Sequence, residues 1–280
     1  MAAGESVPPG IDVSKPNIAR VYDAFLDGKD NFAADRAVVK QTLEIAPDAA
    51  AGAKANRAFL RRVVRYLAGR AGVDQFLDIG SGLPNSGNVH EIAQEVNPSA
   101  RVVYVDNDPV VLLHARALLA RAPTVAVVTA DARRPAEIIE SPWVRELIDF
   151  RRPVALLMFA ILHHIRDDED PDGIVAQFRD AAVPGSYLAI SSFRMPGPDH
   201  PEDRAKTRAV QDLFNAKLGT GRWREHDQIL RWFGDWELLP PGLVPLPEWR
   251  PDFVISPEKN STYYGFAGGV ATRPDVRSAR

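Results

Sequence analysis

The sequence predicts an α/β fold: a doubly wound, mostly parallel sheet of seven strands with helices on both faces, preceded by an N-terminal helical appendage. From residue 74 onward, short apolar runs alternate with stretches of helical periodicity, which is typical of parallel strands joined by helical crossovers. Before residue 74 the apolar residues recur at helical spacing. We therefore expect a flexible arm at 1–16, a helical cap at 17–72 and one α/β domain at 73–280.

The individual elements follow from this periodicity. In the cap, Ile18, Val21, Tyr22 and Phe25 share one helical face, and a second helical face follows at 59–67. Five strands are predicted at 76–77, 102–105, 125–128, 154–159 and 187–190, with helices at 89–96, 109–120, 135–150 and 173–182 between them. Further helices are expected at 202–218 and 225–233. Two last strands, at 236–239 and 263–272, flank a proline-rich stretch and would form a hairpin-like edge.

Composition excludes several classes of protein. The formal net charge of -3 gives no reason to expect a nucleic-acid partner, and the absence of cysteine excludes thiolate metal sites and a cysteine nucleophile. No stretch approaches the roughly 20 apolar residues of a membrane span, and the first ten residues do not have the pattern of a secretory signal. We therefore expect a cytoplasmic protein without a membrane or nucleic-acid partner.

The glycine-containing loop D-I-G-S-G, at residues 78–82, follows the first predicted strand, where doubly wound folds bind their ligands. Glycine allows a tight turn and a close approach of a ligand to the backbone. A dinucleotide fingerprint would need a third glycine where Asn85 stands, and we find no Y-x-x-x-K pair typical of a nicotinamide oxidoreductase. A phosphate-binding P-loop would need lysine and a hydroxyl residue where Asn88 and Val89 stand.

The D-x-G-x-G loop resembles the first motif of S-adenosylmethionine-dependent methyltransferases of the doubly wound class. The resemblance implies that Gly80, Ser81 and Gly82 pack against the amino-acid part of the cofactor. It also implies that the carboxylate of Asp78 lies near the cofactor's ammonium group, an arrangement that opposite charges favour.

Acids at the ends of the next two strands strengthen the resemblance. Asp106 matches the family position that binds the ribose hydroxyls, with Asn107 beside the adenine. Asp131, followed by Ala132, matches the position that accepts from the adenine amine. The alternative is that Asp106 and Asp131 only cap the helices that follow them.

The fourth strand leads into Phe159 and Ala160, which resemble the family segment that runs under the methyl donor. DNA amino-methyltransferases carry an N/D-P-P-Y/F type of motif at this point, so its absence disfavours a DNA substrate. His163 and His164 follow and are candidates for a general base, because histidine titrates near neutral pH. A packing or hydrogen-bonding role is an equal alternative for each.

An acidic run at 167–170 lies beside the two histidines and raises the possibility of a metal site. Acidic runs before a helix usually serve the helix N-terminus and solvent, and methyl transfer from a sulfonium needs no metal. We therefore expect no metal ion.

The resemblance extends over nearly the whole chain. Segments 16–22, 28–32 and 103–109 look like a bacterial family of S-adenosylmethionine methyltransferases with unassigned substrates. Residues 73–280 would then be the cofactor-binding domain, and the cap would cover the cofactor, with Tyr22 lining the site and Arg57, beside Asn56, reaching its carboxylate. Core packing for Tyr22 and a surface position for Arg57 are the alternatives.

The function expected from these features is methylation of an oxygen or nitrogen of a small molecule, with S-adenosyl-L-methionine as the cofactor. In-line displacement requires little more of the protein than alignment of the acceptor. A second hypothesis is a regulatory or interaction protein that binds the same cofactor without turnover.

Overall fold

The computed structural model describes residues 12–83, 87–111, 123–253 and 258–275, and its strands form one mixed sheet. The strands are β1 (Gln75–Ile79), β2 (Arg101–Asp106), β3 (Val125–Thr129), β4 (Ala155–Phe159), β5 (Tyr187–Phe193), β6 (Glu237–Leu238), β7 (Val244–Pro245) and β8 (Phe266–Thr272). Their order is β3-β2-β1-β4-β5-β8-β6, and β7 also pairs with β8. The doubly wound α/β fold is confirmed.

The first five strands are parallel, whereas β8 runs antiparallel to β5, and β6 and β7 run antiparallel to β8. The predicted antiparallel edge is therefore present. The short strand β7 was not predicted, because it contains Pro245 and lies in the proline-rich stretch. It pairs with residues 267–268 at one end of β8, whereas β6 pairs with residues 271–272.

The helices of the cap are α1 (Ile18–Phe25), α2 (Ala33–Ile45) and α3 (Ala49–Arg65), and α3 runs into a π-turn at Tyr66–Arg70. The later helices are α4 (Val89–Val96), α5 (Pro135–Glu140), α6 (Pro142–Leu147), α7 (Pro171–Ala181), α8 (Pro201–Leu218), α9 (His226–Arg231) and α10 (Ser261–Gly265). None of the helices that the structure describes is long and apolar enough to cross a bilayer.

Two sequence predictions need correction. The helix expected at 135–150 is two helices, because Pro142 has no backbone N–H to donate and begins α6. The strand expected at 263–272 begins at Phe266, since the side chain of Asn260 accepts from the backbone N–H of Tyr263 and caps α10.

Part of the sequence prediction falls on residues that the structure does not describe. In the helix predicted at 109–120, residues 109–111 are helical and the remainder lies outside the described residues. Residues 1–11 of the predicted arm also lie outside them. The division into arm, cap and catalytic domain stays a prediction.

The sheet is buried on both faces, as parallel sheets are. Leu77 and Ile79 pack into one apolar layer with α7 and α9, whereas Phe76 packs into the opposite layer with α3 and Trp249. A third apolar cluster joins the cap to α8 and contains Val21, Phe25, Val38, Ala53, Val210 and Phe214. The helices before the sheet and α8 therefore enclose a space next to the sheet.

A buried ion pair fixes α1 to α2. The Nε of Arg20 lies 2.9 Å from Asp35 Oδ2, and both side chains are almost completely buried. Asp35 also accepts from the backbone N–H groups of Asn17 and Phe32. One carboxylate therefore fixes the start of both helices.

Candidate functional site

The glycine loop lies at the carboxyl end of β1, between the ends of β2 and β4. The N–H groups of Gly80 and Ser81 both donate to the carbonyl of Val105, and the loop is thereby tied to β2. Gly80 has φ +75° and Gly82 has φ +66°, a conformation that favours glycine. A Cβ on Gly80 would lie 2.6 Å from the Ile161 side chain, whereas a Cβ on Gly82 would meet no described residue within 4 Å.

Asp106, at the end of β2, holds this loop in place. Its Oδ2 accepts from the N–H of Gly82 at 2.8 Å, and its Oδ1 accepts from the N–H of Asp108 at 2.9 Å. Burial raises the pKa of Asp106, and the two backbone hydrogen bonds oppose that rise. The carboxylate is thus oriented by the backbone at the place where the loop and β2 meet.

Asp78 is the most perturbed acid of the loop. It is buried, and the burial raises the pKa of its carboxyl to about 7; Arg57 lowers this pKa and Asp106 raises it further. Among the described residues, no hydrogen bond to the Asp78 carboxylate is present. A cation entering this site would therefore find a buried acid that no hydrogen bond from the described residues satisfies and that the charge of Arg57 only partly offsets.

The turn after β4 carries a second strained position, at Ala160. Its φ of +56° is unusual for a residue with a side chain, and its N–H donates to both the backbone oxygen and the Oγ of Ser191 at 3.0 Å. This conformation brings the next residue, Ile161, against Gly80. The ends of β1 and β4 therefore meet in close contact.

A chain of hydrogen bonds connects this turn to the cap. Ser191 Oγ donates to Asn56 Oδ1 at 2.6 Å, Asn56 Nδ2 donates to the Tyr22 hydroxyl at 2.9 Å, and that hydroxyl donates to the carbonyl of Ala53 at 3.3 Å. Burial raises the pKa of Tyr22, so the phenol stays protonated. Nearby, Arg57 donates to the carbonyl of Gly87.

Two adjoining cavities open beside the loop. The first, the chamber, measures about 250 Å³ and lies between the glycine loop, the cap and α8. The second measures about 290 Å³ and shares Gly80, Asp106, Asn107 and His164 with the chamber.

All the sequence-predicted site residues line one of these cavities. Those lining the chamber are Tyr22, Arg57, Asp78, Gly80, Ser81, Gly82, Asp106, Asn107, Phe159, Ala160, His163 and His164. Asp131 and Ala132 line the second cavity. The sequence therefore identified residues that meet in space, although their individual roles stay predictions.

Asp131 has a strong partner of its own. Its two carboxylate oxygens accept from the guanidinium of Arg133 at 2.6–3.0 Å, and this pairing lowers the pKa of Asp131. Arg133 also donates to Glu169 at 2.7 Å. Asp131 is thus ionised and oriented at the wall of the second cavity.

Both histidines are neutral, with His163 buried and His164 half-buried. Burial lowers the pKa of His163 well below its ordinary value, and His164 and Arg224 lower it further. His163 Nδ1 accepts from the N–H of Phe193 at 3.2 Å, and its ring stacks on Phe193 at 3.5 Å. Nδ1 therefore acts as a hydrogen-bond acceptor, and the proton of the neutral ring is on Nε2. Burial lowers the pKa of His164 to about 4, and its Nδ1 has no partner among the described residues.

The acidic run after these histidines is engaged with other protein groups. Asp167 pairs with Arg224, Asp168 with Arg166, and the Asp170 side chain accepts from the N–H of Gly173 at the start of α7. Within the part of the chain that the structure describes, no three His, Asp or Glu side chains are arranged to hold a metal ion.

Several residues of the chamber were missed by sequence reasoning. Phe193 ends β5 and stacks between His163 and Trp223, whose ring lies 4.0 Å from it. Phe214 on α8 packs against both Phe193 and Trp223. The position of Phe193 at a strand's carboxyl end was a usable signal. For Phe214 and Trp223 the sequence gives no signal that distinguishes them from core residues.

Comparison with known proteins agrees with this geometry. The family model described as S-adenosyl methyltransferase matches residues 4–274. A crystal structure of a proposed methyltransferase from Thermobifida fusca YX is 46% identical, with 97% of this chain and 100% of that chain covered and a TM-score of 0.90. A DUF574 family protein from Streptomyces avermitilis MA-4680 is 37% identical, with 94% and 100% covered and a TM-score of 0.87.

More distant similarity concerns the fold alone. An O-methyltransferase family protein from Burkholderia thailandensis is 14% identical, with 82% of this chain and 61% of that chain covered and a TM-score of 0.52. No functionally curated protein matches the chain. The family match over nearly the whole length, together with the loop and acids described above, is decisive: the chain belongs to the S-adenosyl methyltransferase family and is an S-adenosylmethionine-dependent methyltransferase.

Proposed function

We propose that this methyltransferase transfers a methyl group to an oxygen or nitrogen of a small molecule that binds in the chamber. The observation that supports this proposal is the chamber itself. It is lined mainly by apolar side chains, many of them from α1, α3 and α8, and it adjoins the glycine loop. Small-molecule sites are typically concave and apolar with a few placed polar groups.

The residues of the loop fit the cofactor. Asp78 is an acid without a hydrogen-bond partner among the described residues, and it lies where the ammonium of S-adenosylmethionine would neutralise it. No residue within the described part of the chain fills the space beside Gly82, which leaves room for a ligand against the backbone. We assign Gly80, Ser81 and Gly82 to the amino-acid part of the cofactor and Arg57, with Asn56, to its carboxylate.

The nucleoside would lie across the two adjoining cavities. Asp106, oriented by the backbone of Gly82, would accept from the ribose hydroxyls, with Asn107 beside the adenine. Asp131 and Ala132 line the second cavity, where Asp131 would accept from the adenine amine. Because Asp131 already binds Arg133, it would use its remaining lone pairs.

When bound, S-adenosylmethionine supplies a methyl group on a sulfonium sulfur, which an acceptor atom displaces in line. Phe159 and Ala160 would lie under that methyl group. Tyr22, held by Asn56 and Ala53, would close the chamber from the side of the cap and help to exclude water. The hydrogen-bond chain from Tyr22 to Ser191 would keep the cap in register with the turn at Ala160.

The histidines narrow the choice of acceptor. Because Nδ1 of His163 accepts from the N–H of Phe193, the remaining Nε2–H is a hydrogen-bond donor and not a base. This donor would orient the acceptor. The Nδ1 of His164 is unpartnered among the described residues, but a pKa of about 4 makes it a weak base. An acceptor that is already deprotonated, or whose proton leaves to solvent, suits this site better than one that needs a strong base. A cytoplasmic location without nucleic-acid partners remains part of the proposal.

Calorimetry and a methyl-transfer assay test the proposal together. S-adenosylhomocysteine should bind the purified protein in the absence of added metal, and a metabolite panel assayed with labelled S-adenosylmethionine should contain a methylated product. Transfer of label to DNA or RNA, with none to small molecules, would refute the small-molecule acceptor. Absence of S-adenosylhomocysteine binding would refute the assignment of the cofactor residues.

A further inference from the structure

The wall of the chamber formed by α8, the segment that follows it and α10 contains two polar atoms without partners among the described residues. Thr207 on α8 and Trp223 both line the chamber. Neither Thr207 Oγ1 nor Trp223 Nε1 makes a hydrogen bond to any residue that the structure describes. Each can donate one hydrogen bond.

The two atoms flank the same point, beside Gly265. A Cβ built on Gly265 would lie 3.6 Å from Trp223 Nε1 and 3.9 Å from Thr207 Oγ1. The absence of a side chain at Gly265 therefore leaves a small space that both donors border. A polar spot of this kind within an apolar wall is what fixes the orientation of a ligand.

The charges that line the chamber are separated along its length. The acids Asp78, Asp106 and Asp108 lie at the end next to the glycine loop, together with Arg57. Away from that end, Lys206 is the one charged side chain among the described residues that line the chamber. It is exposed at the rim and precedes Thr207 on α8. The negative group of a ligand would be attracted to the end near Lys206 and repelled by the acids at the end near the glycine loop.

The body of the chamber between these ends is aromatic and apolar. Trp223 stacks on Phe193 at a ring distance of 4.0 Å and an angle of 8°, and Phe214 packs against both rings. Val21, Phe25 and Val210 complete the wall from the cap and from α8. Such a surface favours a flat, apolar molecule.

We propose that the methyl acceptor is an apolar, ring-containing molecule with an anionic oxygen group, and that Thr207, Trp223 and Gly265 form the subsite that anchors this group, with Lys206 as its counter-charge. This inference rests on the proposed small-molecule function and extends it to the class of acceptor. The anchored group lies at the α8 end of the chamber, and the atom to be methylated faces the glycine loop.

Calorimetry on the full chain saturated with S-adenosylhomocysteine tests the class of ligand. The probes are pairs with closely similar carbon skeletons: cinnamate with cinnamylamine, indole-3-acetate with tryptamine, and 2-naphthoate with 2-naphthylmethylamine. At least one acid should bind about tenfold more tightly than its amine, the scale of one hydrogen bond to a charged group. Amines that bind as tightly as the acids, or no acid binding at millimolar concentration, would overturn the inference.

These failures are distinguishable from failure of the proposed function. If S-adenosylhomocysteine binds and the acids do not, the anchoring subsite is wrong and the cofactor assignment stands. If S-adenosylhomocysteine itself does not bind, the proposed function fails first.

Three substitutions test the subsite directly. Gly265 does not have a positive φ, and its added Cβ would make only ordinary van der Waals contacts, so Gly265→Ala should fold and fill the space between the donors. Thr207→Val and Trp223→Phe each remove one donor and keep most of the side-chain volume. Each variant should weaken acid binding about tenfold relative to the matched amine and leave S-adenosylhomocysteine binding unchanged. Unchanged acid affinity in Gly265→Ala and Thr207→Val would overturn the assignment even if acids bind.

A matched pair of lysines on α8 tests the counter-charge. Lys206 lines the chamber, whereas Lys217 is exposed on the same helix and does not line it. Lys206→Met should weaken acid binding and reduce its dependence on salt, and Lys217→Met should do neither. Equal effects of the two substitutions would remove Lys206 from the subsite.

Discussion

Replacement of Asp78 by asparagine should stabilise the folded protein and weaken cofactor binding at the same time. Burial raises the pKa of Asp78 from 3.8 to about 7, which corresponds to about 4 kcal/mol at about 1.4 kcal/mol for each pH unit. The folded state binds more protons than the unfolded state between these two pH values. Its stability is therefore lost as pH rises from about 4 to about 7, and the full loss persists above pH 7.

The asparagine side chain of the variant carries no charge, so this loss disappears. At pH 8 the free energy of unfolding of Asp78→Asn should exceed that of the natural protein by up to about 4 kcal/mol, and near pH 4 the two should be equal. Urea unfolding across this range measures the difference. The control is Asp149→Asn, because Asp149 pairs with Arg151 and its pKa is lowered, so this substitution should give no gain at pH 8.

Cofactor binding should change in the opposite direction. A cationic ammonium requires the ionised form of Asp78, so the affinity for S-adenosylhomocysteine should rise with pH up to about 7 and level off above it. In Asp78→Asn the affinity should be about tenfold to a hundredfold lower and independent of pH in this range. A variant that is no more stable than the natural protein at pH 8, or that binds equally well, would refute this account of Asp78.

Three further predictions concern the loop, the histidines and the link to the cap. Gly80→Ala should lower the free energy of unfolding by about 1–3 kcal/mol more than Gly82→Ala does. Both glycines have positive φ, but only a Cβ at position 80 would collide with Ile161. Equal losses in urea unfolding would contradict this. Burial lowers the pKa of His164 to about 4, so the free energy of unfolding should fall as pH drops from 6.5 toward 4. This fall should be smaller in His164→Gln. If both proteins show the same pH dependence of stability, the account of His164 is refuted. Asn56→Ala removes the hydrogen bond that the Tyr22 hydroxyl accepts and the one that Ser191 Oγ donates. It should cost about 1–3 kcal/mol and weaken S-adenosylhomocysteine binding, whereas unchanged thermal unfolding would show that the chain from Tyr22 to Ser191 contributes little.

The grouping of residues at the proposed cofactor end of the site could be predicted from the sequence because it is encoded locally. The loop at 78–82 and the acids Asp106 and Asp131 each lie at or just after the carboxyl end of a strand, and parallel strands bring their carboxyl ends to one edge of the sheet. Once the strands were recognised, the proximity of these residues followed from topology. The errors arose where local chemistry overrode periodicity, as at Pro142, which divides a helix, and at Asn260, which begins one.

The proposed acceptor end could not be predicted, because its residues come from distant parts of the chain and have the composition of a core. Val21, Phe25, Val210 and Phe214 belong to one apolar cluster and line the chamber as well. Their spacing predicts a buried helix face whether that face meets another helix or a ligand. The distinction lies in what is missing among the described residues, namely partners for Thr207 Oγ1 and Trp223 Nε1 and a side chain at Gly265. Substitutions that look like ordinary core changes can therefore alter the choice of acceptor while the cofactor site, which depends on the strand ends, keeps its geometry.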